Sequence, residues 1–418
     1  MEMKTLPKLT LGIGDRFARQ GEAQLSAIQS ASQREIPIHP VWNKSNREHT
    51  LLGTAPEDLR AEADGAVFAL HWSAPYFVDA DHINLGTVDR FLAASDFFTL
   101  DVADYVGEPP TTESLREFLD KFTRLVGAHR LPLLDDPLEI TRAVLERTAQ
   151  KFLRPMQEAA VIHRHIAANK AEDSFAVEVS VDETDTSQTP AELFIILAMI
   201  ADLNIPAQTI APKFSGRFNK GVDYVGDIAA FEREFDADLA VITLAIREFG
   251  LPPNLKISVH SGSDKFSIYP VIRRLLARRD AGLHLKTAGT TWLEEVAGLA
   301  ESGGEGLEIA KDIYASAVLQ SEDLIAPYAP VVDIEISRLP AVEKVRGWNS
   351  EDYVAALNHD SSCPDYDPCF RQFMHVSFKV AGDMKSRFTD ALKTSAPVIA
   401  RRVRDNLLKK HIEPLFIG

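Results

Sequence analysis

Short apolar runs alternate along the chain with segments of helical periodicity. Eight of these runs are typical of buried β-strands, because polar residues follow each one at once. They lie at 9–14, 36–42, 66–72, 97–102, 175–182, 207–214, 255–261 and 283–289. Parallel strands need helical crossovers, and eight such units close into a barrel. The pattern therefore predicts an α/β fold, a (β/α)8 TIM-like barrel, with a doubly wound open sheet as the alternative.

Helical patterns fill most of the chain between and after these runs. They lie at 81–95, 111–128, 138–170, from Thr189 onward, and from Glu351 to Leu408 with a loop at 359–368. In the sequence TPAE, Thr189 and Glu192 fit a capping box with proline in the first turn. We predict a barrel domain over 1–320 with a helical insertion at about 111–172. A helical C-terminal extension over 321–418 is expected to pack on the barrel.

Composition and charge narrow the classes of function. The chain has 418 residues, 45% of them hydrophobic, and a formal net charge of −16. Such a charge opposes a broad nucleic-acid or anionic-membrane surface, but it permits a small basic pocket for one anionic metabolite. There is no apolar run of membrane-spanning length and no apolar signal-peptide stretch, so we expect a cytoplasmic protein. The two cysteines, Cys363 and Cys369, are interpreted as reduced thiols.

Several predicted strands carry polar residues on one face. Alternate residues of a strand share a face, and the valine-type positions would pack against the outer helices. The opposite face would then line the barrel interior with Glu178, Ser180, Asp182, Ser258, His260, His284 and Lys286. Burying a carboxylate or ammonium there costs several kcal/mol unless it is paired. This pattern favours either an active site or a structural ion-pair network.

A divalent-metal site is one interpretation of these groups. Carboxylate oxygen and imidazole nitrogen are suitable ligands, and Asp182, Glu183 and His260 lie at strand ends. A strand-end histidine can equally be a hydrogen-bonded core residue. Further along, Arg371, His375 and Lys379 recur every four residues and would share one helix face. That face is either part of the site or a solvated basic stripe.

Two loops fit anion binding. The segment KFSGRFNKG at 213–221 places three basic residues and two glycines together, which suits a carboxylate or phosphate. The segment SGSDKF at 261–266 leads from a strand into a helix start, where backbone N–H groups attract anions. Both segments are also compatible with plain flexible loops.

The chain resembles the tagaturonate epimerase family. The resemblance rests on five segments: EVSVDETDTSQTPAELF, QTIAPKFSGRFNKGVDYVGD, SVHSGSDKFSIYP, GLHLKTAGTTWLEEV and FRQFMHVSFKVA. It is dense over 175–310 and 345–418 and thinner before 110. The resemblance implies an isomerase of hexuronate catabolism that inverts C4 between tagaturonate and fructuronate, and that depends on a divalent metal. Where the family pattern reads LLHVGYKVA, this chain reads FMHVSFKVA and keeps His375 and Lys379.

A retro-aldol reaction would invert C4 with the metal ligands, acid/base groups and cations found in this sequence. A base removes the C4 hydroxyl proton, the C3–C4 bond breaks, and the metal stabilises the enediolate as a Lewis acid. The cofactor would be zinc, manganese, nickel or iron, the substrate a small anionic sugar acid, and a homo-oligomer is possible. A metal aldolase and a non-catalytic sugar-acid-binding barrel are the alternatives. The assigned residues are Asp182, His260 and His375 for the metal, Glu183 and Asp264 for acid/base catalysis, and Lys213, Arg217, Lys286 and Lys379 for the substrate.

Overall fold

A closed barrel of eight parallel strands forms the centre of the computed structural model, which describes residues 4–171, 174–287 and 289–418. The strand order around the barrel is β1-β10-β9-β8-β7-β4-β3-β2, and β5 and β6 form a separate antiparallel pair. The predicted TIM-like barrel is confirmed. The strands are β1 Leu9–Ile13, β2 Ile38–Ser45, β3 Phe77–Ile83, β4 Phe97–Asp101, β5 Gly127–His129, β6 Leu138–Ile140, β7 Ala176–Ser180, β8 Ala207–Ala211, β9 Lys256–His260 and β10 Leu283–Lys286.

Helices surround the barrel and form a second layer after β10. The α-helices of the described residues are α1 Gly21–Ser32, α2 Asn46–Leu52, α3 Pro56–Ala69, α4 Thr112–Phe122, α5 Arg142–Asn169, α6 Pro190–Asp202, α7 Ile228–Phe249, α8 Tyr269–Arg279, α9 Gly289–Ser302, α10 Gly304–Val318, α11 Ser321–Ile325, α12 Val342–Arg346, α13 Ser350–Leu357, α14 Pro368–Val376, α15 Phe378–Asp383, α16 Ser386–Thr394 and α17 Ala396–Asp405. A π-helix, Asn406–Ile417, follows α17. None of the described helices has the length and apolarity needed to cross a bilayer.

The third strand was predicted in the wrong place. Residues 66–72 end helix α3 and the turn after it, so His71 and Trp72 do not end a strand. Pro56 occupies the first turn of α3, and Leu59, Ala63 and Ala66 form its buried face at helical spacing. The true third strand is β3, whose last three residues, 81–83, the sequence pattern assigns to a helix at 81–95.

Helix α6 confirms the predicted capping box. The Thr189 hydroxyl accepts a hydrogen bond from the Glu192 N–H at 3.3 Å, and the Glu192 carboxylate accepts one from the Thr189 N–H at 2.8 Å. The remainder of α6 is apolar on nearly every side, because α5 and α7 flank it against the barrel.

The described residues form two large hydrophobic cores and a small third cluster, which includes Phe77 and Phe97. The larger joins the barrel to helices α1 and α3 to α8 and also takes in the π-helix. The smaller is built mainly from helices α9 to α17, and Trp292, Tyr314 and Phe373 lie within it. Because the second core already draws on residues from α9, the division of domains at residue 320 stays a prediction. Residues 358–367 separate α13 from α14, within one residue of the loop predicted at 359–368.

Candidate active site and metal centre

Lys286, at the end of β10, is the hub of a polar network inside the barrel mouth. Its Nζ lies 2.9 Å from Asp79 Oδ2, 2.8 Å from Asp81 Oδ1 and 3.1 Å from Glu178 Oε1. It also donates a hydrogen bond of 2.6 Å to Thr99 Oγ1. Strands β3, β4, β7 and β10 thus direct side chains to one point, as the strand alternation predicts for Glu178 and Lys286.

The charges of this network depend on one another. Burial would lower the pKa of Lys286, but the surrounding carboxylates outweigh it and raise that pKa well above its usual value. Burial likewise would raise the pKa of Glu178, and the positive charges of Lys286 and His260 instead hold it well below its usual range. For Asp79 the effect of burial exceeds that of the Lys286 charge, and the pKa of this carboxyl is raised. The ammonium and the Glu178 carboxylate are therefore both charged at neutral pH.

His260, at the end of β9, lies between two carboxylates. Its Nε2 is 2.7 Å from Glu178 Oε1, and its Nδ1 is 3.0 Å from Asp182 Oδ2. Burial alone would lower the pKa of His260, but the charges of Asp182 and Glu178 raise it to about 9. The imidazole is therefore a cation in this arrangement. Asp182, whose pKa is lowered, also accepts a hydrogen bond from Ser180.

His82 completes a group that could hold a metal ion. One ligand atom from each of His82, Asp182 and His260 lies within 4.8 Å of the others. The nitrogen and carboxylate donors suit zinc or another first-row divalent ion. Burial would lower the pKa of His82, yet Asp81 and Asp101 raise it to about 10. The carboxylates around His82 and His260 thus already balance the positive charge of two protonated imidazoles. A divalent cation could take the place of that charge, so these residues fit one.

The sequence prediction missed His82, Asp79 and Asp81. The last two share one face of β3, and the alternation in FVDADHI was the signal that would have found them. His82 breaks that alternation. The pairing of β3 with β4 shifts register between Ala80 and Ile83, and His82 has a left-handed φ of 52°. The bulge turns His82 toward the site, where its ring lies 5.2 Å from that of His260.

His375, the third predicted ligand, is not in the group of three whose ligand atoms lie within 4.8 Å of one another, and its role stays a prediction. It is buried in α14, and a Cβ on Gly289 would lie only 2.8 Å from its Nε2. Arg371, which precedes it by one turn, donates to Asp264 at 2.5 Å. Lys379 belongs to the next helix, α15, and is half-buried there. The proposed shared face of these residues is interrupted at Ser377, where α14 ends.

Asp264 lies in a buried cluster with the C-terminal helices. Its carboxylate accepts hydrogen bonds from Arg371 and from His359 Nδ1 at 2.9 Å, and His411 Nε2 lies 3.5 Å away. Burial would raise the pKa of Asp264, but the Arg371 guanidinium beside it holds that pKa well below its usual range. Asp264 is therefore ionised and links the loop after β9 to α14. Its acid/base role stays a prediction.

The remaining predicted residues lie around the barrel rim. Glu183 is exposed just after β7. Lys213 donates to the Thr184 carbonyl, and Arg217 pairs with Asp333 at 2.6 Å, with both side chains more than half exposed. The structure thus brings Asp182, His260 and Lys286 together with Glu178, and it places the two predicted substrate-binding residues of the 213–221 loop farther out.

This fold and this site define a class of protein. Acidic, imidazole and ammonium groups converge at the carboxyl ends of parallel barrel strands, which is where TIM-barrel enzymes place their catalytic residues. The donors of one candidate metal centre lie among them. The protein is therefore a TIM-barrel enzyme with a candidate divalent-metal centre.

The chain belongs to the tagaturonate epimerase family. The family model for tagaturonate epimerase (UxaE) matches residues 2–415. A tagaturonate/fructuronate epimerase of Thermotoga maritima is 27% identical over 98% of this chain and 81% of its own length. Crystal structures of the fructuronate-tagaturonate epimerase UxaE from Cohnella laeviribosi share the fold. The glycerol complex has a TM-score of 0.81 at 24% identity over 99% of this chain and 82% of that one. The native form has a TM-score of 0.78 at 23% identity, with the same shares covered. Members of this family are epimerases, so the predicted isomerase class is confirmed.

Proposed function

We propose that the protein interconverts tagaturonate and fructuronate by inverting C4 of the 2-keto-hexuronate, with a divalent metal as cofactor. Membership of the family over almost the whole chain is the observation that carries this proposal. The substrate is accordingly a small anionic sugar acid, and the negative net charge is consistent with a cytoplasmic metabolic enzyme rather than a nucleic-acid-binding protein.

The metal donors in this proposal are Asp182, His260 and His82. The clustering of their ligand atoms supports this set. Glu178 holds the Nε2 side of the His260 ring, which is the usual position of a carboxylate that orients a ligating histidine. A divalent cation held here would supply Lewis-acid polarisation of the substrate oxygens.

Glu183, in the loop just after β7, is the side chain that would transfer the proton. C4 lies β to the ketone, so its own hydrogen is not acidified. A base therefore takes the proton of the C4 hydroxyl, the C3–C4 electron pair moves toward the C2 ketone, and C4 becomes an aldehyde. Exposed Glu183 is our candidate base and would keep that proton while the aldehyde rotates. It then returns the proton to the C4 oxygen after C3 attacks the opposite face.

Lys286 would orient the substrate through the carboxylates that its ammonium holds in place. Its ammonium is held by three carboxylates and cannot act as a neutral nucleophile near pH 7, because its pKa is raised. This state disfavours a Schiff-base mechanism. Lys286 instead keeps Asp81 and Glu178 fixed at the barrel mouth, and Asp264 would fix the neighbouring loop through its pair with Arg371.

The proposal is tested by incubating the purified protein with tagaturonate and following fructuronate by NMR. A chelator should abolish interconversion, and Zn²⁺, Mn²⁺, Ni²⁺ or Fe²⁺ should restore it. The Asp182→Asn variant should lose bound metal in elemental analysis and at least about 100-fold in activity, whereas Asp185→Asn in the same loop should keep both. Full activity and metal content in Asp182→Asn would reject the ligand assignment. Accumulating three-carbon fragments would identify an aldolase.

A further inference from the structure

Three polar residues face one another near the barrel mouth outside the metal centre: Arg16, Lys220 and His375, here called the mouth cluster. Arg16 follows β1, Lys220 lies in the loop after β8, and His375 lies in α14. Contacts place them close together: a Cβ on Gly221, the residue after Lys220, would lie 3.5 Å from His375 Cβ, and the Arg16 guanidinium lies 4.4 Å from the ring centre of Phe378, three residues after His375. The cluster also adjoins the network described above, since a Cβ on Gly262, two residues after His260, would lie 3.7 Å from Lys220 Cγ.

The backbone around Lys220 is clamped from several sides. Its own N–H donates to the Val331 carbonyl at 2.8 Å, and its carbonyl accepts from Gln372 Nε2 at 3.0 Å. The carbonyl of Gly221 accepts from Arg371 Nε at 2.7 Å. Buried Lys265 donates to the carbonyls on either side of this pair, those of Asn219 and Val222. This much support fixes the position from which the Lys220 side chain extends.

Although the backbone of Lys220 is held by hydrogen bonds, its side-chain ammonium has no hydrogen-bond acceptor among the described residues. It lies 5.8 Å from the centre of the Tyr328 ring, and none of the described residues accepts a hydrogen bond from it. Burial lowers its pKa from the usual value. A half-buried ammonium with a fixed backbone and no acceptor is suited to receive a negative group of a ligand.

His375 and Arg16 carry unpaired polar atoms as well. His375 is 1% exposed, and its Nε2 has no partner among the described residues. That nitrogen faces Gly289, the first residue of α9, where the positive end of the helix dipole lies. Arg16 is 8% exposed, stacks 4.4 Å from the Phe378 ring and leaves Nη1 without a partner.

The charge of this region suits one carboxylate. Arg16 and Lys220 contribute two positive charges, and Glu48, 2.9 Å from Arg16 Nε, contributes one negative charge. His375 is neutral because burial and these cations lower its pKa well below its usual value. Among the described residues, Lys220 is thus left as a cation without an ion pair, beside a neutral imidazole that can donate one hydrogen bond.

We propose that the mouth cluster is the subsite that binds the C6 carboxylate of the hexuronate, with Lys220 and Arg16 as its cations and His375 as a neutral donor. This inference rests on the proposed function for the identity of the substrate. It assigns the carboxylate to the Lys220 ammonium and to the partnerless Arg16 Nη1 and His375 Nε2, rather than to Arg217, whose charge already pairs with Asp333 at the surface. The subsite selects uronic acids over neutral ketoses.

The test compares two substrates in wild type and Lys220→Met. One is tagaturonate, and the other is the corresponding neutral ketohexose with a hydroxymethyl group at C6. Lys220→Met should lower kcat/KM for tagaturonate at least about tenfold, mainly through KM, and change kcat/KM for the neutral sugar less than about threefold. Lys220→Arg should recover most of the tagaturonate activity. An equal loss for both sugars in Lys220→Met would overturn the subsite.

A matched control and a binding arm separate this subsite from the proposed reaction. Lys410 lies 5.9 Å from the Phe266 ring centre, much as Lys220 lies over Tyr328. Lys410→Met should leave kcat/KM unchanged for both sugars. Calorimetry with galacturonate, which lacks the C2 ketone, should show binding at least about tenfold weaker in Lys220→Met than in wild type. Equal affinities, or no binding to wild type, would overturn the subsite. Failure of wild type to interconvert its substrates would reject the epimerase alone.

Discussion

At the scale of single residues, His49 makes the stability of the protein depend on pH. The side chain is fully buried, and burial, with Lys44 and Arg90 nearby, lowers its pKa to about 3. The unfolded chain binds a proton near pH 6.5, and the folded chain does not bind it until about pH 3. Stability from this residue is therefore complete above pH 6.5 and falls as the pH decreases. The loss at pH 5 is about 2 kcal/mol.

His49→Gln removes this titration. Urea unfolding at pH 7 and pH 5 should show a smaller decrease in the free energy of unfolding for the variant than for wild type, by up to about 2 kcal/mol. His71, which is exposed, serves as the matched control. In His71→Gln the free energy of unfolding should decrease between pH 7 and pH 5 by as much as it does in wild type. An unchanged decrease in His49→Gln would contradict the prediction.

Residue patterns predict part of the candidate site. The alternation of β7, β9 and β10 was sufficient to place Glu178, His260 and Lys286 in the barrel interior, because a regular strand repeats every two residues. His82 could not be found this way, since a register shift and a left-handed φ turn it toward the site. The unpaired state of Lys220 depends on contacts with loops distant in sequence, which no local pattern encodes.

At the scale of elements, the contact between α9 and α17 depends on Gly298. A Cβ at this position would lie 2.6 Å from Ile399 Cγ1 and 3.0 Å from Ile399 Cα. Gly298→Ala must therefore move one helix, and we expect it to lower the free energy of unfolding by about 1–3 kcal/mol.

Gly65 in α3 is the matched control for this prediction. Apart from its chain neighbours and its own helix backbone, no atom of the described residues lies within 4 Å of the position where its Cβ would be. Gly65→Ala should therefore stabilise the protein by about 0.5–1 kcal/mol through helix propensity alone. Urea unfolding of both variants measures the two effects. Stabilisation by Gly298→Ala would show that α9 and α17 can separate without cost.

The prediction of elements succeeded wherever a buried strand stood alone between polar segments. It failed at 66–72, where an apolar run is the end of amphipathic helix α3. A short apolar run has the same appearance in a buried strand and in a buried helix end. The true strand, β3, was obscured by three ionisable residues, Asp79, Asp81 and His82, which belong to the candidate site.

At the scale of the whole molecule, Arg371 ties the helical layer to the barrel. It is 1% exposed, and it donates to Asp264 after β9, to Gly221 after β8 and to Leu357 at the end of α13. Arg371→Met would leave Asp264 charged and buried without its guanidinium. We expect the free energy of unfolding to decrease by about 3–5 kcal/mol.

Hydrogen exchange followed by mass spectrometry tests whether the two layers unfold together. In Arg371→Met, peptides from β7 to β9 and from α13 to α14 should lose protection to the same extent. Arg387, which pairs with Asp312 at 2.8 Å on the surface, is the control, and Arg387→Met should cost less than about 1 kcal/mol. Loss of protection confined to α13 and α14 would show that the layers are independent.

The position of Arg371 and Gln372 late in the chain has a consequence during synthesis on the ribosome. All eight barrel strands have been made once Lys286 is added, but the clamps on the 219–222 loop and the His375 imidazole come about 90 residues later. At about 5–20 residues per second, that interval is roughly 4 to 18 s. A ribosome stalled in this interval would therefore hold a chain that has every barrel strand but lacks the side chains that clamp the 219–222 loop.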